Sequence, residues 1–213
     1  MFKNALKSIL LVMALVLFAA SPSLAKGKTK AMEETPKAIE MREALRGLWG
    51  DHIFWVRNVV LMTKLGDAEA AKVAEASAVE NARAIADAVI PYYGQAAADQ
   101  LFGLLAGHYG AVKGYMTVVY AGNTAGKEGA VDKIMNNATA MAVFLSSANP
   151  NWPKETLESL LFAHGAHHIA QIDALNAKDY SAEAQNWEAM KNQMNVVADA
   201  LGRGIVKQFP KKF

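Results

Sequence analysis

Leu45-Arg46-Gly47-Leu48-Trp49-Gly50-Asp51-His52, Leu101-Phe102-Gly103-Leu104-Leu105-Ala106-Gly107-His108 and Leu157-Glu158-Ser159-Leu160-Leu161-Phe162-Ala163-His164 share one skeleton. A leucine is followed three residues on by a second, then by a large apolar residue, and after three more by histidine. Steps of three and four place such residues on one face of a helix. The three stretches lie 56 residues apart, and that shift aligns the chain with itself twice without gaps. Further on, Asn81, Asn137 and Gln193 fall in one column, followed by Ile85, Met141 and Val197, then by Ala86, Ala142 and Ala198. Asp67, Asn123 and Asp179 align between the two halves of each copy. A fixed period of this length is the mark of a repeated supersecondary unit.

The pattern predicts six helices, over about 34–64, 68–90, 96–121, 128–147, 154–177 and 181–206. Gly66-Asp67, Gly122-Asn123 and Lys178-Asp179 read as tight turns whose Asp or Asn caps the next helix. Pro91-Tyr92-Tyr93-Gly94, Asn149-Pro150-Asn151-Trp152-Pro153 and Phe209-Pro210 stop the returning helices. The expected fold is all-α: a six-helix bundle of three αα-hairpins, about 41–96, 97–152 and 153–208, within one domain at 34–208. Closure around a pseudo-threefold axis is preferred to an open stack.

Residues 1–25 read as a secretion signal. Lys3 and Lys7 precede an apolar run from Ile9 to Ala20, and Ser23-Leu24-Ala25 offers the small residues of a cleavage site. The chain has no cysteine, so neither a disulfide nor a lipid anchor on cysteine is expected. About 188 of the 213 residues would remain, enough for one domain with a sizeable core. Their 20 basic residues equal their 20 acids, which makes nucleic acid a poor partner. No second stretch of membrane-spanning length appears after the signal. Residues 26–33 are expected to form a loose leader and 209–213 a loose tail, and the place of work is the periplasm or the medium.

On the first helix of each copy the histidine sits within the apolar stripe, as in Leu45, Leu48, Trp49, His52, Val56 and Val59. Counting outward from each turn places His52 near the level of Asn81, His108 near Asn137 and His164 near Gln193. If the hairpins close on an axis, the three imidazoles converge into a set suited to zinc or copper. The amides would then accept from the ring N–H groups. His168, one turn beyond His164, extends that ligand set; His167 receives no role. Asp51 and Glu80 are the acids considered as a further ligand or as a catalytic base.

Two other readings stand beside the metal site. A dry or hydrated histidine–amide layer can simply fix helix register, leaving a module that binds a small ligand or a partner protein. In an open stack the imidazoles would lie about 10 Å apart and could not share an ion. An enzyme would need the open metal position together with Glu80 or Asp51. Covalent haem has no Cys-x-x-Cys-His, nucleotide has no glycine-rich phosphate loop, and no His-Glu-x-x-His occurs.

The phrases Leu48-Trp49-x-Asp51-His52-x-Phe54-Trp55-x-Arg57-Asn58, Pro91-Tyr92-Tyr93-Gly94 and Ala148-Asn149-Pro150-Asn151-Trp152-Pro153 resemble those of a family of exported bacterial helical proteins. Gly204-Ile205-Val206-Lys207-Gln208-Phe209-Pro210 is similar too. The resemblance implies a single domain over nearly the whole mature chain, and it transfers no function.

Overall fold

The computed structural model describes residues 34–213. The expected signal segment and leader lie outside the described residues. Six long helices and one short one follow in order: α1 (Pro36–Leu65), α2 (Ala68–Asp87), the single turn α3 (Ile90–Tyr93), α4 (Gln95–Tyr120), α5 (Lys127–Ala148), α6 (Lys154–Ala177) and α7 (Tyr180–Gln208). Short 3₁₀ turns occupy Thr124–Gly126 and Pro210–Lys212, and no strand occurs among the described residues. None of the described helices is long and apolar enough to cross a membrane.

The turn chemistry works as the sequence predicts at two of the three turns. Asp67 accepts from the Ala70 N–H at 2.9 Å and Asp179 from Ala182 at 2.9 Å, each satisfying an otherwise free amide of a helix start. Asn123 accepts from Gly126 at 3.1 Å, but it caps the 3₁₀ turn Thr124–Gly126, and α5 begins without a side-chain cap. The preceding residues Gly66, Gly122 and Lys178 all take left-handed backbone, with φ of 81°, 67° and 59°. Lys178 is the only described residue other than glycine with positive φ. One boundary differs from expectation. Pro91 does not merely end a helix; it is the second residue of α3, where its missing N–H removes nothing from the first turn.

Neighbouring helices pack in the sequence α1–α2, α2–α4, α4–α5, α5–α6, α6–α7 and α7–α1, which returns to its start. Inside that ring α1, α4 and α6 also touch one another pairwise. These are the three helices that carry the repeated histidine. Apolar side chains form two clusters along the bundle. One contains Leu45, Trp49, Leu101, Leu105, Leu157 and Leu161; the other contains Val56, Val60, Val112, Met116, Ile134 and Ile172. The histidines occupy the level between them.

The end of the bundle nearer Leu45 is tied by the three phrases quoted above. Asn149, fully buried, donates to the Tyr93 hydroxyl at 2.9 Å, and that hydroxyl donates to Gln208 Oε1 at 2.7 Å. The buried Trp152 indole donates to the Ala200 and Leu201 carbonyls, both at 3.3 Å. A β-carbon on Gly204 would lie 1.9 Å from the Trp152 Nε1, so only glycine lets the indole lie on α7. Residues 209–213, expected to be loose, are packed instead: Phe209 contacts both Tyr92 and Tyr93, and Phe213 stacks on Tyr92 at 5.8 Å. Aromatic surface gained there outweighs the freedom of a short tail.

Candidate metal centre

Leu45, Trp49, His52 and Val56 are all buried on α1, and the matching residues are buried on α4 and α6. The helical period therefore turns the three histidines toward the same interior. His52, His108, His164 and His168 are 2%, 5%, 2% and 0% exposed. Their ring centres lie between 4.5 Å (His164–His168) and 6.1 Å (His52–His168) apart. One potential ligand nitrogen from each lies within 4.8 Å of those of the other three. Four buried histidines thus lie close together and can hold a metal.

The fit to an ion is close. Metal–nitrogen bonds of about 2.0–2.1 Å in a tetrahedron separate ligand atoms by about 3.3 Å. The Nε2 atoms of His164 and His168 are already 3.1 Å apart. The wider pairs need only side-chain adjustment of about 1 Å or less per ring to reach that geometry.

His168 breaks the repeat. Its column holds Val56 and Val112 in the other two hairpins, both 1% exposed. Only α6 therefore supplies two ligands, at a spacing of one helical turn that puts both on one face.

Hydrogen bonds leave the rings largely unpartnered, and an ion would take one nitrogen of each. His52 Nδ1 and Nε2, His108 Nε2, His164 Nδ1 and His168 Nδ1 are buried with no hydrogen-bond partner. Each such group costs about 1–3 kcal/mol when left unsatisfied. A register-fixing polar layer would bond its members to one another, and here the four rings share the single His164–His168 contact. Protonation offers no relief. Burial, with a smaller contribution from His108, pushes the His52 imidazole down to about 3, and burial pushes His108 down to about 4. Burial and then the neighbouring imidazoles hold His164 and His168 well below the ordinary value. All four are neutral at pH 7, the form that ligates.

The amides act differently from expectation. Asn81, Asn137 and Gln193 donate to the Leu48, Leu104 and Leu160 carbonyls at 3.0, 3.0 and 2.8 Å. Each acceptor lies four residues before a histidine, so each amide clips its hairpin together and does not bond the ring. Their oxygens are buried without partners. The level counted from the turns is right to within one helical turn. That single turn separates the imidazole from the carbonyl before it.

Asp51 and Glu80 are both exposed and lie outside the four-histidine group, as do Asn136 and Asn192 in the column of Glu80. Each acid is the direct chain neighbour of an inward residue, and one residue turns a helix by about 100°. His167 is half-buried and bonds Asn186 on α7 at 2.8 Å.

The sequence reading missed a buried ionic group. Glu183 takes a paired contact from Arg57 at 2.7 and 2.9 Å and a third bond from the fully buried Gln171 at 3.2 Å. The Arg57 bonds hold the Glu183 carboxyl below its usual range. Gln171 could have been noticed, since it stands in the column of Val59 and Tyr115. Arg57 and Glu183 are 126 residues apart and carry no such signal.

No family model, curated protein or solved structure matches the chain.

Proposed function

We propose that this chain is an exported transition-metal-binding protein whose His52, His108, His164 and His168 hold one zinc or copper ion. Four neutral imidazoles are donors that suit either metal. The proposal rests on one observation: four buried imidazoles from three helices share a centre and have almost no hydrogen bonds of their own. Its task is binding, buffering or sensing. Asp51 and Glu80, the acids considered as a catalytic base, are both exposed and lie outside the four-histidine group. Export is inferred from Lys3, Lys7, the apolar run and Ser23-Leu24-Ala25. The hairpins are read as three copies of one ancestral unit, an interpretation favoured by the recurring amide clip and cap.

The test is elemental analysis of protein purified from the export compartment, followed by zinc and cuprous titration of the metal-free form. One ion per chain is expected. His108→Ala is expected to weaken binding at least tenfold, and His167→Ala to leave it unchanged. Metal-free protein that takes up neither ion would refute the reading.

A further inference from the structure

Apolar space continues from one face of the histidine cluster. A void of about 10 Å³ is lined by His52, His108 and His164 together with Trp49, Leu161 and Asn137, and His168 does not border it. Trp49 and Leu161 lie one turn before the histidines of their helices, whereas His168 lies one turn after His164. The void therefore flanks the three-histidine ring on the side away from His168. A second cavity of about 30 Å³ shares Trp49, Met141 and Leu161 with it and continues among Leu45, Leu101 and Leu157. About 10–15 Å³ holds one water-sized group, so the void beside the histidines takes one heavy atom and the larger cavity next to it two or three.

Their chemistry narrows the occupant. The larger cavity is lined by Leu, Ile, Val, Met and Trp alone. An ion or a strongly hydrated molecule entering it loses water that nothing there replaces. A small uncharged molecule suffers no such loss. The Trp49 Nε1–H, buried without a partner, belongs to a residue that lines both spaces. A cuprous ion with four imidazoles has a filled valence shell, so an incoming donor must displace one of them, and His168 lies on the side away from the void.

We propose that a cuprous ion held by the four histidines exchanges His168 for a small uncharged ligand of diatomic size, of the class of dioxygen, nitric oxide or carbon monoxide, on its three-histidine face, admitted through the apolar cavity. This rests on the metal reading above. The bond to His168 on the far side breaks as the new bond forms, and the Trp49 and Leu161 level forms the passage.

Copper content, carbon monoxide binding and xenon binding are measured on the same preparations. Cuprous protein under carbon monoxide is expected to give one C–O stretching band in the infrared. Xenon is expected to shift the methyl signals of Leu101, Leu157 and Met141 in metal-free protein. Leu161→Phe, which fills the passage, is expected to lose the band while keeping its copper. Leu157→Phe fills the outer cavity, and the loss of xenon shifts in that folded variant is the companion result if Leu161→Phe fails to fold. Copper-replete protein with no band overturns the proposal, as does an undiminished band in Leu161→Phe or an absence of xenon shifts. Protein that binds zinc but no cuprous copper overturns it and leaves the metal reading standing. Protein that binds neither overturns both.

Discussion

Each imidazole of the cluster is held uncharged by the apolar packing on either side of it, and this gives the metal-free protein a definite pH response. The ordinary histidine value is 6.5, against about 3 for His52 and about 4 for His108 in the folded chain. Between those values the unfolded chain binds protons that the folded chain refuses. Stability is therefore full above the ordinary value and falls as pH drops from there toward the folded values. Urea midpoints of metal-free protein are expected to fall steadily between about pH 7 and about pH 5. Replacing His52 and His108 together with glutamine should reduce that slope, leaving the part due to His164 and His168; an equal slope in the double variant would assign it to other groups. At this scale the sequence is informative about which residues turn inward, because the helical period alone brings His52, His108 and His164 to one side. It is silent about what an inward side chain meets. The amides of Asn81, Asn137 and Gln193 lie near enough to the rings to suggest a bond, yet the nearer backbone carbonyl takes them.

Helix boundaries were legible wherever a local chemical event sets them. The caps at Asp67, Asn123 and Asp179 and the left-handed residues before them depend on the residues of one turn, which is the range over which sequence speaks plainly. Contacts such as Trp152 on Gly204 or Arg57 on Glu183 depend on how whole helices are rotated and spaced, and no neighbouring residue announces them. The turn column contains one stored defect. Gly66 and Gly122 adopt left-handed backbone freely, whereas Lys178 does so at φ 59° against the clash of its β-carbon. Lys178→Gly is expected to stabilise the protein by about 0.5–1 kcal/mol, the relief of that clash less the extra freedom of an unfolded glycine. Equilibrium denaturation decides it, and a loss of stability would mean the Lys178 side chain makes contacts worth more than the strain.

Across the whole molecule, the ring of helices closes because α7 packs on α1, and that closure places α1, α4 and α6 against one another. An ion bound among them grips three hairpins at once and has no comparable site in the unfolded chain. At a free metal concentration about a hundred times the dissociation constant it contributes about 2.7 kcal/mol. For a domain of this size that raises the melting temperature by about 5–10 °C, a gain that a chelator should abolish. An unchanged melting curve with metal bound would place the ion on the surface.

His52, His108 and the pair on α6 belong to hairpins completed one after another along the chain. The first two hairpins hold one imidazole each, and the full set exists only once the last hairpin has docked. An ion held as proposed would therefore be acquired last, from whatever ions surround the protein at that moment. If the chain is exported unfolded, as proposed, it would bring none with it. The provenance of the ion is then decided by the address at which folding finishes, and two metals of similar affinity would be sorted by geography before they are sorted by coordination chemistry.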